Sequence, residues 1–352
     1  MSTPPTDRSG PQIFLVLLVL AGFIALVGGV SGIDAPDHRP RPADHVNLPA
    51  PPPSPPAIGG GHKAPAAQPP AAQPPAAQPP FGLGFATPAS VSELPGGGQQ
   101  VFADNRILVA YYGTAGTGAL GVLGEAAPAR IMPRLARAAA PFARGGRTVQ
   151  PVFELIVTIA HAHPTRSGAY SSSIARSEVR RYIEAAHRYG VLLVLDLQPG
   201  RADFLSVARR WEWALRDPWV GLALDPEWRM GSQDVPGRRI GSVSATEVNR
   251  VSAWLDALTA RHRLPEKILM LHQFRTDMVR TVDRVRDREH LALVQHVDGF
   301  GTPGQKLATF HHVVRPRKFD LGFKLFYDED VPRMRPAQVL RIRPKVSFVS
   351  FQ

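Results

Sequence analysis

The sequence contains no cysteine. This absence excludes disulfide bonds, thiolate zinc sites, cysteine nucleophiles and a lipid-modified N-terminal cysteine, so no disulfide-linked partner is expected. No GxSxG motif marks a serine nucleophile, and the glycine-rich residues 113–121 lack the Gly-Lys-Ser/Thr of a phosphate loop. Neither an aromatic-basic RNP motif nor Cys/His finger spacing occurs, so the sequence predicts no nucleic-acid partner.

Acidic residues are also scarce relative to basic ones, and the formal net charge is +12. Residues 1–100 contain four basic and five acidic residues, so the remainder of the chain carries a net charge of about +13. A basic globular domain attracts polyanions such as phosphorylated wall polymers, although an arginine-rich composition alone produces the same charge. The expected partner is a cell-envelope polysaccharide or another anionic wall polymer.

The first third of the chain has the composition of an anchor and a stalk. A short N-terminal tail, residues 1–12, precedes an uncharged apolar run over residues 13–30 that is close to the minimum length for a membrane-spanning helix. The run is longer than that of a usual cleaved signal peptide, which remains the alternative, so we expect a transmembrane signal-anchor. Residues 31–105 are rich in Pro, Ala, Gln and Gly and predict a disordered, extended linker. The expected location is the cell membrane, single-pass, with the following domain outside the cytoplasm.

Eight short apolar runs alternate with amphipathic stretches over residues 106–352. They cover residues 107–113, 151–160, 191–198, 220–227, 267–274, 291–299, 319–327 and 345–351. Nearly continuous apolar strands that alternate with helices indicate a parallel sheet covered by helices. Eight of them in a domain of this length predict an α/β fold, a (β/α)8 TIM-type barrel that lacks a final helix.

Polar or aromatic side chains end nearly every apolar run. In a barrel of this kind the strand ends form one rim, where functional sites lie. Candidate carboxylates for catalysis are Glu227, Asp225, Asp196 and Asp298. Candidate substrate-binding residues are Tyr112, Gln198, Trp228, His272, Gln273, Phe300, Lys324 and Tyr327.

The segment "VGLALDPEW", residues 220–228, places two carboxylates two positions apart, on the same side of a strand. Like charges at this spacing, with Trp228 beside them, raise the pKa of one carboxyl and keep it protonated as an acid. "LALDPEW" resembles the end of the strand-four motif of chitinase-like glycoside hydrolases, Asp-x-x-Asp-x-Asp-x-Glu. That resemblance implies that Glu227 is the general acid and that Asp225 orients the substrate. The two earlier aspartates of the motif are replaced here by Val220 and Ala223.

A metal site is the alternative chemistry. His161 and His163 end the second run, and His272 and His296 end the fifth and sixth. This set resembles the ligands of metal-dependent amidohydrolase barrels, although their HxH lies on strand one. The resemblance implies a divalent ion such as zinc, whereas carboxylate acid/base catalysis needs no cofactor.

The sequence as a whole predicts an exported, membrane-anchored glycoside hydrolase-like enzyme that acts on a cell-envelope polysaccharide. Two alternatives stay open, the metal-dependent hydrolase and a barrel that binds a glycan without cleaving it. Aromatic faces and a few convergent polar groups are sufficient for such binding.

Overall fold

The computed structural model describes residues 92–103 and 105–352. The predicted N-terminal tail, the membrane segment and the linker up to residue 91 lie outside the described residues. In the part of the chain that is described, no helix is both long and apolar enough to cross a membrane.

Eight parallel strands form a closed barrel, as the sequence predicts. In chain order they are β1 (Ile107–Gly113), β2 (Val149–Ala160), β3 (Leu192–Leu197), β4 (Val220–Leu224), β5 (Lys267–His272), β6 (Leu291–Val297), β7 (Asp320–Leu325) and β8 (Val346–Phe351). Each strand pairs with the next one along the chain, and β1 also pairs with β8, which closes the sheet.

Helices cover most of the connections between these strands. They are α1 (Pro128–Ala139), α2 (Arg176–Tyr189), α3 (Phe204–Arg210), α4 (Glu212–Leu215), α5 (Ala245–Arg261), α6 (Pro303–Val313) and the single-turn α7 (Pro336–Val339). The connection from β5 to β6 contains two 3-10 turns and the two-residue strand Val279–Arg280 but no α-helix among its described residues, so the regular alternation is broken there.

Local sequence signals explain where two of the longer helices begin and end. Ser244 caps α5, because its side chain accepts a hydrogen bond from the Glu247 backbone N–H. Gly190 ends α2 in the left-handed conformation, with φ of 65°. The serines at 171–173, which look like helix caps in the sequence, instead form a short strand antiparallel to β2.

The hydrophobic core has two layers, one inside the barrel and one between the strands and the helices. The inner layer is built from alternate strand residues such as Ala110, Val194 and Met270. The outer layer includes the buried rings of Phe153 and Trp211. Because side chains alternate across a strand, every second residue of each apolar run points to the barrel axis. The same alternation decides which polar residues reach the interior.

Residues 92–103 close the amino-terminal end of the barrel, so the folded domain starts upstream of residue 106. Leu94 and Val101 are buried against the inner layer. The Val101 backbone N–H donates to Glu266 Oε2 at 2.7 Å. Lys267, also buried at this end, donates to the carbonyl oxygens of Asp217 and Val220 at 2.7 and 2.9 Å. This end of the barrel is covered by residues 92–103, so the candidate site is sought at the carboxyl-terminal end of the strands.

The glycine-rich segment after β1 is a close-packed loop. Residues 116–121 have the spacing GxGxxG, but the segment leads into 3-10 turns rather than into the first turn of an α-helix. Gly121 has φ of 131°, and a Cβ there would clash with the Tyr112 carbonyl oxygen. The glycines therefore serve to pack the loop on the end of β1, and the dinucleotide-binding geometry of a strand, glycine loop and helix is not formed.

Candidate functional site

The upper part of the barrel interior is polar, and all eight strands contribute to it. The contributing residues lie at or just after the strand ends, except for Glu154 in the middle of β2, and are Tyr112, Glu154, Asp196, Asp225, His272, His296, Asp298, Lys324 and Ser350. Most of them follow a residue of the inner hydrophobic layer by two positions on the same strand, whereas Asp298 follows His296 and Lys324 follows Gly322 at that spacing. The sequence therefore fills the lower interior with aliphatic side chains and the upper interior with ionisable ones.

Four of these side chains form one layer from alternate strands. The Tyr112 hydroxyl donates to Asp196 Oδ2 at 2.9 Å. Lys324 Nζ lies 3.6 Å from the centre of the Tyr112 ring. The His272 ring packs edge-on against the Tyr112 ring with centres 5.8 Å apart. Four-residue layers from alternate strands are the usual filling of a (β/α)8 barrel, but here every member is polar.

His272 is fully buried between carboxylates. Its Nδ1 lies 3.0 Å from Asp298 Oδ2 in a hydrogen bond. Its Nε2 also lies 3.0 Å from Glu154 Oε1, but these two atoms lack hydrogen-bond alignment. Burial and Lys324 act to lower the pKa of His272, yet the contacts with Asp298 and Glu154 outweigh them and raise that pKa well above its usual value. A proton, or another positive charge, is thus strongly favoured at this position.

His296 lies beside His272, with ring centres 5.1 Å apart. Its Nε2 is 2.6 Å from Ser350 Oγ. Burial, followed by the nearby His272 and Lys324, holds the pKa of His296 well below its usual value. A Cβ at Gly322 would overlap His296 Nδ1, so glycine is what allows the ring to lie across β7. This histidine is neutral and its position is fixed by its neighbours.

Glu227 and Asp225 lie at the mouth of the barrel, the open end formed by the strand ends. Glu227 is half-buried in a 3-10 turn, and Asp225 is 3 % exposed. Burial, and then the charge of Asp298, raise the pKa of Glu227 to about 8, although Lys324 and His272 act in the opposite direction. Burial, followed by Glu227 and Asp196, raises the pKa of Asp225 well above its usual value. The Glu227 carboxyl is therefore largely protonated at neutral pH, and the pKa of Asp225 is shifted in the same direction.

Asp298, by contrast, is an ionised carboxylate. Burial would raise its pKa, but the hydrogen bond from His272 and the charge of Lys324, 3.8 Å away, hold that pKa below its usual value. Its second oxygen, Oδ1, has no hydrogen-bond partner in the described chain. The mouth thus holds protonated and ionised carboxyls side by side.

Carboxyl groups outnumber basic groups in this part of the barrel. The pKa of Asp196 is also raised, to about 6. Burial is the main cause and the charge of Glu154 adds to it, while His272 acts in the opposite direction. The acidic members are Glu154, Asp196, Asp225, Glu227 and Asp298, and the basic ones are His272 and Lys324. Because unpaired buried charges are costly, this excess must be neutralised by protons or by a bound cation.

Two predicted binding residues, Gln198 and Gln273, form hydrogen bonds within the protein. Gln198 accepts a hydrogen bond from the Ala160 backbone N–H at 3.2 Å and so joins the ends of β2 and β3. Gln273 donates to the Arg275 carbonyl oxygen at 2.9 Å and accepts from Gln295 at 2.8 Å. The Gln198 carbonyl oxygen and both amide atoms of Gln273 are therefore already paired, so a substrate contact through these atoms would require the bonds to break.

The aromatic candidates line the mouth at different depths. Trp228 and Phe300 are half-buried. Phe300 packs edge-on against Phe326 with ring centres 5.9 Å apart. Tyr327 is 37 % exposed and stacks on Phe351 at 5.7 Å. These rings offer apolar surface at the rim, above the carboxyl groups.

The HxH pair does not join the buried histidines. β2 is longer than the other strands, and His161 follows Glu154 by seven residues, roughly 20 Å along an extended chain. His161 Nε2 contacts Ser172 Oγ at 2.7 Å on the short antiparallel strand, and His163 is exposed. The structure therefore does not group the predicted four histidines as one ligand set, because the end of β2 extends further than the ends of β5 and β6.

The cluster that does have metal-ligand spacing is Glu154, His272 and His296, which we call the interior triad. One donor atom from each lies within 4.8 Å of the others, and all three residues are buried. Glu154 and Ser350 were not among the predicted site residues. Glu154 is the only charged residue in the run "PVFELIVTIA", and its position two residues after the inward-facing Val152 is the signal that would have identified it.

Comparison with known proteins gives no family assignment. No protein-family model matches the chain, and no curated protein matches it either.

Proposed function

We propose that this protein is a glycoside hydrolase-like enzyme that uses carboxylate acid/base catalysis at the barrel mouth. The observation that carries the proposal is Glu227, a half-buried carboxyl whose pKa is raised to about 8 beside the ionised Asp298. Two carboxyls whose environments push their pKa values apart are the arrangement that glycosidic hydrolysis needs.

In the proposed reaction, Glu227 gives its proton to the glycosidic oxygen as the bond from that oxygen to the anomeric carbon breaks. Asp298 Oδ1, which has no partner in the described chain, supports the positive charge that develops at the anomeric carbon. Water then adds to that carbon, and its released proton restores the acid. His272 holds Asp298 in place through the 3.0 Å hydrogen bond to Oδ2, and Asp225 positions the substrate beside Glu227.

The proposed substrate is a cell-envelope polysaccharide, and the proposed location is the outer side of the cell membrane. Both rest on the apolar residues 13–30 and on the proline-rich residues that follow them. The excess of carboxyl groups at the mouth favours a neutral or amine-bearing sugar at the reacting position over an anionic one. The basic charge of the rest of the domain is available to hold neighbouring anionic polymer.

The test uses the full-length chain, purified in detergent, with a panel of bacterial wall polysaccharides and an assay for new reducing ends. We expect at least one polymer to be cleaved by the wild type and not by Glu227→Gln. Glu329→Gln is the matched control, because Glu329 is another half-buried glutamate near the rim, whose charged neighbours are Asp328, Asp330 and Lys306.

Equal cleavage by wild type and Glu227→Gln would refute the assignment of the acid. Absence of cleavage on the whole panel, with retention of one polymer by both proteins, would support a barrel that only binds a glycan.

A further inference from the structure

We propose that the interior triad of Glu154, His272 and His296 binds a divalent first-row transition ion, below the carboxyls of the mouth. This inference is independent of the proposed glycosidase activity. Two imidazoles and one carboxylate form the ligand set of open zinc sites and of non-haem iron sites.

Each histidine has one ring nitrogen engaged and the other left without a partner. His272 uses Nδ1 for Asp298, and its Nε2 has no hydrogen-bond partner among the described residues. His296 uses Nε2 for Ser350, and its Nδ1 is equally unpartnered. Metal-binding histidines commonly show this pattern, in which a carboxylate or other polar group holds the far nitrogen and fixes the ring.

Glu154 supplies the third donor. It is fully buried, and neither of its carboxylate oxygens has a hydrogen-bond partner within the described chain. Its Oε1 lies 3.0 Å from His272 Nε2 without the alignment of a hydrogen bond, which is expected when both atoms point to a third position. Tetrahedral ligands at about 2.1 Å from zinc are separated by roughly 3.4 Å, so a small outward shift accommodates the ion.

The charge of the surroundings favours a cation here. Asp196 Oδ1 lies 3.9 Å from His272 Nε2 and is also unpartnered, which makes it a candidate fourth ligand. Glu154 accepts no hydrogen bond within the described chain, and a buried carboxylate needs such bonds or a nearby cation to offset its desolvation. A divalent ion at the triad removes this cost and neutralises part of the carboxyl excess described above.

The test is direct metal binding by the full-length chain after treatment with a chelator. Calorimetric titration with Zn²⁺ is expected to give a single high-affinity site, and Co²⁺ is expected to give the visible absorption of a low-coordinate nitrogen and oxygen site. Glu154→Gln should weaken Zn²⁺ binding by more than the ~10–100-fold that loss of an outer-shell partner costs, and Ser350→Ala should fall within that range.

The matched control is the double variant His161→Ala, His163→Ala, which removes the exposed histidine pair and leaves the triad intact. We expect it to bind Zn²⁺ like the wild type. Loss of binding in this variant, or unchanged binding in Glu154→Gln, would overturn the assignment. Failure of the wild type to bind either ion would also overturn the assignment. This outcome does not depend on whether the variants fold. None of these readouts depends on the cleavage of a polysaccharide.

Discussion

Replacement of Lys324 by methionine should move the alkaline limb of the pH–activity profile to higher pH. The Lys324 ammonium is buried at the mouth and acts to lower the pKa of Glu227. Methionine keeps most of the side-chain volume and removes the charge. The acid form of Glu227 should then persist to higher pH, because its ionisation is no longer favoured by a neighbouring cation.

The size of the effect follows from the position of the limb. With the pKa of Glu227 at about 8, the acid form falls to roughly a tenth at pH ~9, since each pKa unit is a factor of ten. Loss of a nearby charge shifts a pKa by about 1 unit or more. The variant should therefore retain about half of its own maximal rate at pH ~9, roughly five times the retained fraction of the wild type.

The assay is the initial rate of polymer cleavage over the full pH range, with each protein normalised to its own maximum. Normalisation separates the position of the limb from any loss of overall activity. Lys345→Met is the control, because Lys345 is exposed and contacts Asn105 at the other end of the barrel. A limb that stays in place, or moves to lower pH, in Lys324→Met would refute the role given to Glu227.

Three further predictions concern stability, and each is measured by chemical denaturation of the variant. Trp211→Ala should cost about 3–5 kcal/mol, because Trp211 is 2 % exposed and its Nε1–H donates to a buried threonine. Trp213→Ala should cost clearly less, since Trp213 is only half-buried; equal losses would contradict this packing. Gly322→Ala should cost about 1–3 kcal/mol through the clash with His296, and it should also weaken Zn²⁺ binding; a neutral outcome would contradict the account of that ring. Asp330→Ala should cost about 3–5 kcal/mol, because it leaves a buried lysine ammonium without its partner, 3.1 Å away; a cost below about 1 kcal/mol would show that this pair is solvated.

The barrel was predictable from the sequence because its strands are unusually clear. Each apolar run predicts one strand, and the structure confirms all eight with ends that shift by three residues at most. The connection between β5 and β6 was not predictable in the same way. Its alternating arginines and aspartates resemble a helix face, yet short 3-10 turns form instead.

The sequence predicts most of the site residues that lie at the ends of strands and misses those that do not. Strand-end reasoning identifies Asp196, His272 and Lys324, which do meet in one layer of the interior. It fails for the histidine pair after β2, because that strand extends beyond the rim to pair with residues 171–173. It also misses Glu154, because this residue lies in the middle of a long strand, where the two-residue spacing from the inward-facing Val152 is the signal and the strand end is not.

The most direct test of the central claim compares two substrates of Glu227→Gln that differ only in leaving group. A general acid matters most when the leaving oxygen needs a proton, and least when the leaving group is already a stable anion such as a nitrophenolate. Both substrates would carry the sugar of the polymer that the wild type cleaves. If Glu227 is the acid, the variant should lose most of its rate on the native linkage, by about 10²–10⁴-fold, and far less on the aryl glycoside. Equal losses on the two substrates would contradict the account.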